Sequence, residues 1–148
     1  MFNWRLRTRP ESTIDYYKLI IEYYQRLKGK EEYPEILTNS LNVNRLLGMV
    51  ARRNFDKLTE YLLSAIEERY KASANLAAIG ANTLYIIFDR AKNLSSIPLI
   101  SIVEETAKRA EDLKMERVGL LGNKFTMEED FFKKELLRFG VKTAVPNY

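Results

Sequence analysis

Leu76-Ala77-Ala78-Ile79-Gly80 is a short apolar run without polar alternation, and Arg117-Val118-Gly119-Leu120-Leu121-Gly122 repeats the pattern further along the chain. Such runs predict strands buried on both faces of a parallel sheet, where small residues permit close packing. Between them Ile97-Pro98-Leu99-Ile100-Ser101-Ile102 predicts another strand, and Val141 to Val145 a last one. The intervals read as helices. Residues 84–93 predict a short helix, and Val103, Thr106, Ala107, Ala110 and Leu113 form the inner face of a second. Thr126-x-x-Glu129 has the form of a capping box, opening a helix that carries Phe131, Phe132, Leu136 and Leu137 and stops at Phe139-Gly140. Strands alternating with such helices require crossover connections, so the fold class is α/β with a doubly wound parallel sheet.

Upstream, Ile14, Tyr17, Ile20, Ile21, Tyr24 and Leu27 recur at helical spacing behind Ser12-x-x-Asp15, which reads as a capping box, and Gly29 ends the helix. Tyr33-Pro34 leads into Ile36 to Val43, read as a strand despite two Asn. Phe55, Leu58, Leu62, Ile66 and Tyr70 form another helical stripe, backed by the solvated charges Asp56, Lys57, Glu60, Glu67, Glu68 and Arg69. The tyrosines at 16–17 and 23–24 present aromatic faces of the kind that stack on bases. Their helical spacing assigns Tyr17 and Tyr24 to packing instead.

A chain of 148 residues can bury a core of its own. Its 46% hydrophobic and 30% charged residues set it apart from disordered chains, and no apolar run reaches the roughly 20 residues of a membrane span. Met1 to Pro10 has arginines but no apolar segment behind them, so a cytoplasmic location is expected. The chain contains no Cys and no His. Disulfides, Cys/His metal sites, catalytic triads and thiolate or imidazole acid/base chemistry are thereby excluded, and no metal or cofactor is implied. The net charge of +4 is dispersed. A nucleic-acid interface would require Arg5, Arg7 and Arg9 to share a surface with Lys124, Lys133 and Lys134, and a solvated arm is the plainer reading of those arginines.

Taken in order, Glu11-Ser-Thr-Ile-Asp-Tyr-Tyr-Lys18, Gly80-Ala-Asn-Thr83, Ile97-Pro-Leu-Ile100 and Gly119-Leu-Leu-Gly-Asn-Lys-Phe-Thr-Met127 resemble the aspartate/glutamate racemase family. The likeness runs over about residues 11–146. It implies two α/β lobes, residues 11–96 giving the first without its first strand and 97–148 the start of the second, after a divergent arm at 1–10. It also implies inversion of an amino acid at Cα without pyridoxal phosphate, one Cys acting on each face of the substrate. Two bases are needed because the proton leaves one face of Cα and returns to the other.

Here the chain departs from the pattern. Ala81 stands where the family has its first Cys, and Tyr85 where it has a His. The second Cys belongs to a segment beyond residue 148, and Met1 to Pro10 replaces the family's glycine-rich loop. The resemblance therefore implies a chain incomplete at both ends, without catalytic residues and inactive as it stands. A first-lobe sheet lacking a strand would leave an apolar edge and favour self-association into a homo-oligomer.

Substrate contacts carried over from the family fall on Asn82, Thr83, Asn123 and Lys124, for a small amino acid or dicarboxylate. Asn82 and Thr83 follow a predicted strand, at the edge where doubly wound sheets place ligands, although both types also cap helices. Gly122-Asn123-Lys124-Phe125-Thr126 precedes a helix N-terminus, whose free N–H groups suit a carboxylate; a capped turn is the alternative. A non-catalytic module binding carboxylates or a partner protein is the second functional reading.

Overall fold

A computed structural model describes residues 10–146, with backbone only for Pro10 and Glu11. The arm bearing Arg5, Arg7 and Arg9, and the end at Asn147-Tyr148, lie outside the described residues. The chain divides into two compact units, Met1–Ala74 and Asn75–Tyr148. Among the described residues no helix is long and apolar enough to cross a membrane.

The first unit is helical: α1 (Pro10–Lys28), α2 (Val43–Ala51) and α3 (Phe55–Lys71). Pro10 opens α1, as its fixed φ and missing N–H allow in a first turn, so Ser12 sits inside the helix and the expected capping box is absent. Gly29 ends α1 at φ +123°, a conformation that disfavours any side chain. Tyr17 is 48% exposed and Tyr24 half-buried, so the expected packing of Tyr17 in a core does not occur.

The strand expected over Ile36 to Val43 does not form either; the segment is irregular, and among the described residues no neighbouring strand completes a ladder with it. Asn42 instead caps α2, its Oδ1 accepting the Arg45 N–H at 3.0 Å, and Val43 becomes the first buried residue of that helix. Leu46 and Val50 continue the face, and α3 packs against it with Leu58, Leu62 and Ile66 buried. Phe55 is half-buried and Tyr70 exposed, so the α3 stripe is core only in its middle.

The second unit contains the strands. β1 (Ala77–Ala78) pairs in parallel with β2 (Leu99–Ile100), Ala77 opposite Leu99 and Ala78 opposite Ile100. β3 (Arg117–Gly119) pairs in parallel with β4 (Lys142–Ala144), Val118 opposite Thr143. The expected crossovers are present: a 3₁₀ segment, Asn82–Ile87, and α4 (Phe88–Leu94) join β1 to β2; α6 (Lys124–Glu128) and α7 (Phe131–Arg138) join β3 to β4; α5 (Ile102–Asp112) links the pairs. The class is α/β, with the parallel pairing the alternation demanded, although the described strands form two short pairs.

Three details differ from expectation. The apolar runs are not buried on both faces: Leu76 is 57% and Leu121 78% exposed, because each run lies in a two-stranded ladder that covers little of it. Thr126-x-x-Glu129 does not open a helix, since Asn123 caps α6 and the extended Glu129 separates α6 from α7. On α5 Val103, Ala107 and Ala110 face inward, but Thr106 and Leu113 are exposed, with the Thr106 hydroxyl returned to the Ile102 carbonyl at 2.6 Å. Beneath β3 and β4, Ala107, Ala110, Leu136 and Val141 make a buried cluster edged by Val118 and Phe139.

Candidate functional site

Gly80-Ala81-Asn82-Thr83 follows the carboxyl end of β1. Ala81 is extended at φ −127°, ψ 108°, and the 3₁₀ segment starts behind it with no side-chain cap at that position. Asn82 is exposed and Thr83 half-buried. The first stretch of the segment is held by Tyr85. This buried phenol donates to the Ile79 carbonyl at 3.2 Å and accepts the Ile102 N–H at 2.8 Å, tying the end of β1 to the first residue of α5. The Ile102 N–H is one of the free donors of a helix start, so the phenol meets a need that the backbone leaves open. Ser101 meets another, its Oγ accepting the Glu104 N–H at 3.0 Å.

The second turn follows β3. Asn123 Oδ1 accepts the Thr126 N–H at 2.8 Å, the capping role that sequence left as an alternative. Thr126 is buried against Gly122, where an added Cβ would stand 3.1 Å from the Thr126 Cβ and Cγ2. Lys124 is exposed, its Nζ 3.6 Å from Glu128.

The two turns are neighbours, because α6 packs beside the 3₁₀ segment. Aromatic rings continue the junction: Tyr85 stacks on Phe88 at 4.9 Å and on Phe131 at 6.4 Å, and Phe131 contacts Phe125 and Phe132 at 6.2 and 5.5 Å. Offset ring pairs of this kind add to plain burial and fix relative placement. Asn82, Thr83, Asn123 and Lys124 are thus carried by adjoining elements. Tyr85 is the residue whose part sequence reading missed. A lone phenol inside Leu84-Tyr85-Ile86-Ile87-Phe88 was the available signal, since a buried hydroxyl requires a partner.

On the chemistry, the position after Gly80 offers a methyl group. Among the described residues no group of three or more Asp or Glu side chains gathers to hold a metal. Among the described residues the one perturbed carboxyl is Glu104, held below its ordinary range by its hydrogen bond to Lys108, with the charges of Lys108, Lys92 and Arg138 adding to this and burial opposing it. Lys108 is raised in turn by Glu104 and Glu105. This is an ion-pair cluster along α5 and α4, not a poised base. Of the basic residues considered for nucleic acid, Lys124 meets Glu128, and Lys133 and Lys134 each meet Asp130 at 3.8 Å, which disperses the positive charge.

Comparison with known proteins gives a family. The model of the Asp/Glu/hydantoin racemases matches residues 8–148. The chain belongs to that family. It is 24% identical over 132 residues to the broad specificity amino-acid racemase RacX of Bacillus subtilis, covering 86% of this chain and 56% of that protein. Among solved structures, an aspartate racemase homologue from Pyrococcus horikoshii is 33% identical with a TM-score of 0.80, covering 95% of this chain and 61% of that one. A candidate Asp/Glu racemase from Yersinia pestis has a TM-score of 0.84 at 24% identity, with 94% and 61% covered. The racemase-like α/β fold thus extends over most of the chain, which spans little more than half the length of these relatives. The resemblance read from the motifs at 11–18, 80–83, 97–100 and 119–127 is upheld.

Proposed function

We propose that this chain carries the substrate-contacting turns of a PLP-independent amino-acid racemase and that, as it stands, it binds a small amino acid or dicarboxylate without inverting it. The ancestral reaction removes a proton from one face of Cα and returns one to the other. Each face therefore needs a group that exchanges protons near neutral pH. The observation that carries the reading is Ala81: a methyl group occupies the turn between β1 and Asn82, in a chain without Cys or His. Asn82 and Thr83 would hold the substrate's polar groups at the strand end, and Asn123 and Lys124 would approach its carboxylate from the adjoining turn. In this reading residues 11–96 supply first-lobe elements and 97–148 the start of the second, in a cytoplasmic setting.

The test uses the purified full chain with L-aspartate and L-glutamate in deuterated water, reading Cα deuteration and the protein's own amide spectrum. The expected result is no deuteration above a heat-killed control, with ligand-dependent shifts confined to the residues around Asn82 and Asn123. Deuteration would reveal a working base and end the inactive reading. A spectrum unmoved at millimolar amino acid would end the binding reading.

A further inference from the structure

The β1–β2 ladder stops one bond short of where its register would carry it. Ala77 faces Leu99 and donates its N–H to the Pro98 carbonyl at 3.0 Å. In a parallel ladder a residue bonds to the neighbours of the one it faces, so two residues on, Ile79 would face Ser101 and accept the Ile102 N–H. That bond is not made. The Tyr85 hydroxyl stands between the two groups, accepting the Ile102 N–H at 2.8 Å and donating to the Ile79 carbonyl at 3.2 Å. One oxygen serves both, since a phenol carries a donor and acceptor lone pairs on the same atom.

The interposed oxygen holds the strand ends farther apart than a direct bond of about 3 Å would, at the edge where α/β sheets receive ligands. The same contact closes a loop from Ile79 to Tyr85, and Asn82 and Thr83 lie inside it. A second brace crosses that loop, the Leu84 N–H donating to the Ala81 carbonyl at 3.1 Å. The ring itself is fixed, for Tyr85 is buried and stacks on Phe88. Bracing of this kind removes conformations of the free turn that a ligand would otherwise have to order. The His that the motif resemblance puts at this position reaches less far from the backbone and carries its two nitrogens at different points of the ring, so it does not set one atom between these groups. The spacer follows from the phenol, not from the family motif. We propose that Tyr85 is a positioning residue, a hydroxyl spacer in the β1–β2 ladder that fixes the turn bearing Asn82 and Thr83. The spacer rests on the ladder geometry; its effect on affinity rests on the ligand reading proposed above.

The test compares the full chain with Tyr85→Phe, which removes the hydroxyl and keeps the ring. Val141→Ala, in the buried cluster with Ala107, Ala110 and Leu136, is a destabilised control away from the turn. All three are titrated with L-aspartate and with L-glutamate at a temperature where each is folded, and amide spectra are recorded with and without ligand. Tyr85→Phe should raise the Kd about tenfold and shift the free-chain amides of Asn82 and Thr83, whereas Val141→Ala should stay within about twofold and leave those amides in place. An unchanged Kd in Tyr85→Phe, an equal loss of affinity in Val141→Ala, or unmoved Asn82 and Thr83 amides in Tyr85→Phe would each overturn the proposal. A parent chain that binds neither amino acid ends the ligand reading instead. The free-chain amides then decide the spacer by themselves, upholding it if they move in Tyr85→Phe and not in Val141→Ala, and overturning it otherwise.

Discussion

At the end of β1, Asn82 is exposed beside a 3₁₀ start that no side chain caps; at the end of β3, Asn123 gives its Oδ1 to the Thr126 N–H. Lys124, the neighbour of Asn123, meets Glu128, whereas Ala81, the neighbour of Asn82, has no polar side chain to offer. Both turns carry family motifs at the carboxyl ends of parallel strands. What separates them is local need. An α-helix presents free N–H groups at its first turn, and α6 draws Asn123 into meeting one. The 3₁₀ segment draws its support from Tyr85 behind it, and that leaves Asn82 facing outward.

The contrast can be broken by restoring chemistry at one turn. Ala81→Cys places a thiol where the motif resemblance implies the family's first Cys, and on the proposed function deuteration of a single enantiomer of aspartate or glutamate should rise from none to a measurable rate. Because one base serves one face, the exchange should proceed with retention of configuration, read by chiral chromatography together with mass spectrometry. Exchange of both enantiomers would show a second base. Next in size is Tyr85→Phe, which leaves the half-buried Ile102 N–H and the buried Ile79 carbonyl without the phenol. Stability should fall by about 1–3 kcal/mol in denaturant unfolding.

Smaller effects sharpen the contrast between the two asparagines. Asn123→Ala removes a cap and should cost about 1 kcal/mol, while Asn82→Ala should change stability by less than about 0.5 kcal/mol yet abolish the ligand-induced amide shifts. Equal stability losses would mean that both turns are structural. The smallest effect concerns Glu104. Its folded pKa lies below the ordinary 4.5, so the stability it contributes is present above the unfolded value and disappears as pH falls through the lower folded one. Glu104→Gln should therefore cost about 0.5 kcal/mol or less at pH 7, with the gap to the parent closing in acid, as thermal melts across that range would show.

Much of this was legible in the sequence where local chemistry and tertiary context agree. Gly29 ends α1, the middle of the α3 stripe is core, and the alternation of strands and helices yields parallel pairs, because each depends on backbone freedom or on periodicity within one element. The failures cluster where a neighbour decides. Ile36 to Val43 has strand-like residues but, among the described residues, no strand beside it, and Asn42 finds more use as a cap. Thr126 reads as a cap, yet Asn123 stands where the first free N–H groups can be reached, and Thr126 turns inward onto Gly122. At the candidate site the motif spacing located the turns but not the Tyr85 bridge, whose partners lie six residues before it and seventeen after.

The two parallel pairs also bear on how the second unit assembles. Closing β1 onto β2 and β3 onto β4 each brings together positions roughly two dozen residues apart, and closure entropy varies only as about (3/2)RT ln n, so it hardly distinguishes the two crossovers. Which pair forms sooner is left to the side chains each crossover buries early. The cluster of Ala107, Ala110, Leu136 and Val141 draws on α5, α7 and the approach to β4, so a substitution there acts on the folding rate of the β3–β4 pair in proportion to how much of the cluster has formed at the barrier.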